Sequence, residues 1–253
     1  MLRLFYSFFI LFFAFVLKNS LVAQEAKGVI YYKGQRLMKQ ISKFEEKDSL
    51  GNFKEGAAAK FYQDRMKRNK PVEFKLVFSD TESAFFLNQE LILDSEKRNP
   101  SRNLKKSYYY YVNHKNNELK AQKEFAGTLF LIESNLDSLT WRITSESKMF
   151  GQYKALKAIS SIKIVNRSKE IQNYEMEAWF SPELSFQFGP EGYYGLPGLI
   201  VEMDIFGYKY TFDRIDLDPR NEKINSPSGG KRVTNQKYLA IIQDFSLVDS
   251  LKD

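Results

Sequence analysis

From Gly28 to Leu217 the chain is cut into short stretches of β-branched and aromatic residues, separated at close intervals by turn-forming residues. Parallel strands need crossovers of about a dozen residues or more, so such frequent breaks favour antiparallel pairing. Gly28-Val29-Ile30-Tyr31-Tyr32 suits a first strand. Phe74, Leu76 and Phe78 alternate with Lys75 and Val77, which predicts a strand with one face buried. Further strands are expected at 84–86, 91–93, 108–112, 128–132, 139–144, 153–159, 174–180, 199–203 and 208–217, with an exposed loop over 94–106.

Tyr208, Tyr210 and Phe212 share one parity, whereas Ile215 and Leu217 have the other, so a β-bulge is expected near Asp213 and Arg214. Gly207 provides the positive φ for a short hairpin loop before Tyr208. Two helices complete the reading. One covers 55–68 on the surface and ends before Pro71. The other is a terminal amphipathic helix over 234–251, with Tyr238, Ile241, Ile242, Phe245 and Val248 at helical spacing. The predicted fold is mainly β within the α+β class: a single domain with a curved antiparallel sheet or open half-barrel.

Residues 1–23 have the layout of a secretory signal peptide: Arg3 at the start, an apolar run from Leu4 to Leu17, and a polar step before Ala23 and Gln24. The fourteen-residue run is short of the roughly 20 residues of a spanning helix, and no second apolar stretch follows, so no membrane span is expected after cleavage. The domain then occupies 24–253, and the expected location is the periplasm or the outer envelope and extracellular side. With no cysteine in 253 residues, no disulfide can brace it and the apolar core must suffice. The net charge of +7 falls by two when Arg3 and Lys18 leave with the signal. Because the remaining Lys and Arg are scattered among Asp and Glu, nucleic acid is not an expected partner.

The most unusual segment is Gly189-Pro190-Glu191-Gly192-Tyr193-Tyr194-Gly195-Leu196-Pro197-Gly198-Leu199-Ile200, with glycine at every third position. That spacing suits a polyproline II backbone with one bare edge open to close approach, and Pro197-Gly198 suits the centre of a type II turn. A phosphate loop would need Lys-Ser or Lys-Thr after the last glycine, where Leu199 and Ile200 stand. The plainer role is a crossover joining the Trp179-Phe180 strand to the strand that begins near Leu199.

Ala178-Trp179-Phe180-Ser181-Pro182-Glu183-Leu184, then Gly189-Pro190, then Gly195-Leu196-Pro197-Gly198-Leu199-Ile200, resembles the GLPGLI family, with looser likeness at 28–31, 74–86 and Trp141. The resemblance implies an exported gram-negative envelope protein without established activity, and it carries no catalytic residues. The chain departs from the family pattern at Ala155, where cysteine is common, at Ser185, where proline is common, and near Asn173, where Gly-Arg is usual.

No catalytic set converges in the sequence. His114 is the only histidine and no cysteine accompanies it, which argues against zinc and against a triad. Asp213, Asp216 and Asp218 lack the glycine and terminal glutamate of a calcium loop. Glu175 and Glu177 share a strand face and could pair for acid-base work, but their alternation with Met176 and Ala178 suits plain surface. The run from Lys105 to Tyr111 mixes cations with aromatics, as a stacking platform does, and Ser181 lies in no nucleophile elbow. No cofactor or metal is expected. The sequence predicts a non-enzymatic envelope protein that binds an apolar ligand or a protein partner. A carboxylate-dependent hydrolase and a purely structural role are the alternatives. The binding or structural motif comprises Trp179, Phe180, Gly189, Pro190, Gly192, Gly195, Leu196, Pro197, Gly198, Leu199 and Ile200.

Overall fold

The computed structural model describes residues 27–37, 69–88, 109–136, 139–165, 170–219 and 222–243. The signal peptide expected at 1–23, the helix expected at 55–68, the strand expected at 91–93 and the loop expected at 94–106 lie outside these residues.

Among the described residues, twelve strands form one sheet: β1 (Gly28–Arg36), β2 (Val72–Phe78), β3 (Glu82–Leu87), β4 (Tyr109–Asn113), β5 (Glu118–Phe125), β6 (Thr128–Asn135), β7 (Arg142–Phe150), β8 (Tyr153–Val165), β9 (Ile171–Ser181), β10 (Leu199–Ile205), β11 (Tyr208–Asp216) and β12 (Lys231–Thr234). Their spatial order is β12-β6-β5-β4-β3-β2-β1-β11-β10-β9-β8-β7, so β12 and β7 are the edges of an open sheet. The expectation of a wholly antiparallel sheet is corrected at one edge, because β12 runs parallel to β6, with Lys231 opposite Phe130 and Thr234 opposite Glu133. A long connection returning from β11 makes this possible, since no tight turn dictates the direction of β12. Helix α1 (Asn235–Gln243) follows β12 and lays Tyr238 and Ile241 on the core, with the Tyr238 ring 5.5 Å from Phe130.

Local sequence explains the turns. Phe125 pairs with Thr128 around Ala126 and Gly127, and Ile205 pairs with Tyr208 around Phe206 and Gly207. All four central residues have positive φ, which makes the loop twist match the right-handed twist of the strands. On β11 the register steps from Phe212 opposite Tyr32 to Arg214 opposite Tyr31, leaving Asp213 unopposed as the expected bulge. A second bulge lies on β10 at Val201, between Ile200 opposite Phe180 and Glu202 opposite Trp179.

One sheet face carries Ile30, Tyr32, Phe74, Leu76, Phe85, Tyr110, Phe130, Met203 and Tyr210, all buried, and forms the core. The opposite face is not simply solvated. Around β2 to β5 it is covered by 222–230: Lys75 pairs with Glu222 at 2.8 Å, Tyr109 Oη donates to the Asn225 carbonyl, and Gln122 Nε2 donates to the Gly229 carbonyl. Lys75 and Val77 are therefore buried along with Phe74, Leu76 and Phe78, which corrects the expectation of a one-faced β2. Farther along, the same face bears an ionic ladder in which Glu202 joins Lys148 and Lys209 and Lys157 joins Glu146 and Glu177.

Candidate functional site

The glycine-rich segment is a strap over the core face. It leaves β9 at Ser181, crosses β2 and β3 toward β4 and β5, and returns to begin β10 at Leu199. Its apolar side chains hold it down: Phe186 and Phe188 lie 4.7 and 5.5 Å from the Phe78 ring, and Leu184, Pro190 and Leu196 are buried. Phe188 and Tyr194 form an antiparallel bridge, so the strap folds back on itself. Its backbone is anchored at both limbs. Leu199 N donates to the Leu184 carbonyl (2.9 Å) and Ile200 N to the Phe188 carbonyl (3.1 Å). Fully buried Tyr32 donates its hydroxyl to the Ile200 carbonyl (2.7 Å), and Trp141 Nε1 donates to the Tyr194 carbonyl (2.9 Å).

The threefold glycine spacing does not produce polyproline II. Gly192, Gly195 and Gly198 have φ of +80°, +91° and +154°, whereas polyproline II needs about −75°. The glycines instead serve separate bends. At Pro190–Gly192 a single 3-10 turn closes with Tyr193 N on the Pro190 carbonyl. Gly198 N donates to the Leu196 carbonyl at 2.8 Å, an i to i+2 bond that makes an inverse γ-turn centred on Pro197 in place of the expected type II turn. Only part of the bare edge is closely approached. A Cβ on Gly198 would meet the Ser181 carbonyl oxygen at 2.1 Å and one on Gly189 would meet Ile200 Cδ1 at 2.5 Å, but the nearest atom to one on Gly195 is Trp141 Cδ1 at 3.9 Å.

Of the motif residues, Phe180, Gly189, Pro190, Gly192, Gly195, Leu196, Pro197, Gly198, Leu199 and Ile200 belong to the strap or to the strand ends it joins, with Phe180 opposite Ile200. Trp179 is separated from them. It lies on the opposite face, opposite Glu202 and Lys157, with the Lys148 ammonium 4.0 Å above its ring.

At the tip of the strap sits a polar cluster. Glu191 is the one charged residue between Glu183 and Glu202, and it holds a left-handed backbone (φ 53°, ψ 23°). That conformation costs a non-glycine residue about 1–2 kcal/mol. Its carboxylate gains two acceptor bonds in return, Tyr110 Oη to Oε2 at 2.8 Å and Tyr210 Oη to Oε1 at 2.5 Å, so β4 and β11 are tied through one side chain. Beside it, Lys123 of β5 points its ammonium at the Tyr110 ring (5.0 Å) and the Tyr238 ring (5.8 Å). Burial holds the Lys123 amine below the usual lysine range, opposed by the Glu191 charge. Burial raises the Tyr193 phenol, and the negative charge of Glu191 raises it further. Around this cluster Phe125, Tyr174, Tyr193 and Tyr208 are only partly buried against the core. Glu191 was legible in part, as a lone charge between proline and glycine; nothing in the local sequence distinguishes Lys123 from Lys120 or Glu124.

The other candidates do not converge. His114 stands between the rings of Phe188 (5.5 Å) and Tyr194 (5.2 Å), its Nε2 buried without a partner and its pKa lowered by burial. It is a packing residue of the strap. Glu175 and Glu177 are exposed on the outer face, across the sheet from the strap, and Asp216 is spent in capping the Asp218 amide at 3.0 Å. Asp213 is ion-paired with Lys33 and Arg214. Burial raises the Asp204 carboxyl, but its neighbours are the ladder residues Lys209, Glu202 and Glu177 rather than a cleft. Tyr109 and Tyr111 face outward, yet both are engaged, Tyr111 with Glu82, so they offer no stacking platform. Among the described residues no group of three His, Cys, Asp or Glu could hold a metal, and no helix is long and apolar enough to cross a membrane.

The family described as "Protein of unknown function (Porph_ging)" matches residues 162–202, which take in the end of β8, all of β9, the strap and the start of β10. A comparison with curated proteins finds no match. Two solved structures of PNGF-II, in space groups C2 and P21, are similar at 14% identity and a TM-score of 0.44, covering 86% of this chain. The chain spans about a third of the length of those structures, 32% and 33%.

Proposed function

We propose that this protein is an exported envelope protein, non-enzymatic, that holds an apolar molecule against the core face of a curved, half-barrel-like sheet. The observation that carries the reading is the set of partly buried aromatic side chains, Phe125, Tyr174, Tyr193 and Tyr208, packed against the core. Apolar surface left half-covered beside fixed polar groups is the usual make-up of a ligand site. The dispersal of Glu175, Glu177 and Asp216 on the opposite side weakens the hydrolase alternative. Export rests on the layout of residues 1–23, and membership of the GLPGLI family on the hexapeptide Gly195 to Ile200, which falls within the matched residues 162–202.

The test is mass spectrometry of an organic extract of the mature protein, purified gently from its own envelope fraction beside a matched control. A reproducible stoichiometric apolar molecule supports the reading, and a clean extract turns it down. A second reading, docking of a protein partner, has one observation in its favour: the edge strand β7 leaves Ile143 and Met149 46% and 63% exposed. The bulge of β7 opposite Lys157 works against simple strand addition there.

A further inference from the structure

Exposed apolar side chains gather at one end of the sheet, where β1 and β10 finish and β9 begins. Phe206, Leu37 and Ile171 stand there 59%, 43% and 72% exposed. Leu37 N donates to the Gly207 carbonyl at 2.7 Å, which sets Leu37 beside the Phe206-Gly207 turn. Ile171 lies three residues along β9 from Tyr174, about 10 Å at strand spacing, and the Tyr174 ring stacks on Phe206 at 4.6 Å.

Phe206 is an ill-suited residue for its turn. Both central positions of this hairpin have positive φ, 46° at Phe206 and 74° at Gly207. Asparagine followed by glycine adopts that conformation most readily, whereas a bulky side chain there is an outlier. The turn at Ala126 and Gly127 has the same signs of φ with no aromatic ring. Tyr174 steadies the strained turn, because its hydroxyl accepts from Phe206 N at 2.7 Å and its ring packs on the phenyl. Strain kept at an aromatic tip that still meets solvent points to a role outside the fold. Cations border the same end. Arg36, Lys70 and Lys163 are exposed, and among the described residues none of the three is ion-paired. Asn69 Nδ2 donates to the Arg36 carbonyl at 2.7 Å, which keeps Lys70 near Arg36. Of the acids at this end, Glu170 is already engaged and Glu175 lies on the outer face.

We infer that this end of the sheet docks on a lipid bilayer with anionic headgroups. Phe206, Leu37 and Ile171 enter between the headgroups, while Arg36, Lys70 and Lys163 meet the lipid phosphates. Three apolar side chains on separate strand ends and turns form too little contiguous area for a packed protein interface, but a fluid surface closes round each of them. Apolar tips beside Lys and Arg are the make-up of an interfacial anchor, in which buried apolar area and attraction to anionic lipid add together. The inference goes beyond the apolar-ligand reading and stands without it.

The experiment is cosedimentation of the full chain from Gln24 onward, which lacks the apolar run 4–17, with two kinds of vesicle. One is a mixture of phosphatidylglycerol and phosphatidylethanolamine, the other phosphatidylcholine alone. The anionic vesicles are expected to bind the protein about tenfold or more tightly. Phe206→Asn suits the turn yet removes the ring, so it should keep the fold by circular dichroism and weaken binding to anionic vesicles about tenfold. Ile171→Thr, a β-branched replacement at an exposed strand position, should weaken it in the same direction, and Arg36→Gln with Lys70→Gln should narrow the preference between the two lipids. No binding to anionic vesicles, equal binding to both kinds, or unchanged binding by folded Phe206→Asn and Ile171→Thr overturns the inference. So does a dimer, seen by analytical ultracentrifugation, that Phe206→Asn dissociates without altering vesicle binding, since the patch would then join two copies. None of these outcomes touches the apolar-ligand reading, which the organic extract tests separately.

Discussion

The carbonyl oxygen of Ser181 lies where the side chain of residue 198 would begin: a Cβ on Gly198 would stand 2.1 Å from that oxygen and 2.6 Å from its carbon. The two residues are seventeen positions apart, at the exit and the re-entry of the strap. Their contact is backbone on backbone, so no side-chain rotation can relieve it. Gly198→Ala should therefore cost about 3 kcal/mol or more in urea denaturation, combining overpacking with an unfavourable φ of +154°. Gly195→Ala meets no close atom and pays only for φ of +91°, an expected loss of about 1 kcal/mol. Equal losses at the two sites would contradict this account.

Glu191 accepts from Tyr110 and Tyr210, and hydrogen bonds to charged groups contribute about 1.5–3 kcal/mol each. Glu191→Gln keeps the size but replaces one acceptor oxygen by a donor, so one tyrosine hydroxyl loses its partner. A loss of about 2 kcal/mol is expected in equilibrium unfolding. Tyr210→Phe should lower stability in the same direction, and the double variant should lose less than the sum of the two, because they share one bond.

The strap should loosen in acid through His114. Burial holds its folded pKa below the ordinary 6.5. The unfolded chain therefore binds more protons between the folded value and about 6.5, and stability rises with pH across that window. The stability is fully present above about 6.5 and is lost as the pH falls toward the folded pKa. His114→Leu, which keeps packing against Phe188 and Tyr194, should shrink the drop in Tm between pH 7.5 and pH 5. An unchanged drop would remove His114 from the explanation.

Trp141 and Trp179 are the two tryptophans, and only Trp141 touches the strap, through Nε1 on the Tyr194 carbonyl. Trp141→Phe should cost about 1 kcal/mol or somewhat more, since the half-buried carbonyl loses its donor. Native-state hydrogen exchange should then speed up first in residues 193–196 while β1 and β2 remain protected; uniform acceleration would show that the strap has no local stability of its own.

Much of the sheet was legible because alternation and turn chemistry act locally. β1, β2, β3, β4, β6, β9, β10 and β11 were all expected close to where they lie, and the bulge at Asp213 followed from a parity change alone. The strand β5 was missed. Its sequence, Glu-Leu-Lys-Ala-Gln-Lys-Glu-Phe, has little strand propensity, and it is extended because β4 and β6 pair with it on both sides. β12 has only four residues and is defined by its partner β6. The glycine spacing was visible, but its meaning was misread, since a period of three says nothing about the sign of φ.

The sequence by itself determined a mainly β chain, the hairpin at Gly207 and the bulge at Asp213, because dihedral preferences and alternating burial are properties of neighbouring residues. The tertiary structure alone decided that Glu191 would reach Tyr110 and Tyr210, that Lys123 would stand over two rings, and that 222–230 would bury the second face of β2. Those relationships join residues tens of positions apart, and the free energy that fixes them is the burial and pairing of groups that meet only once the sheet has formed.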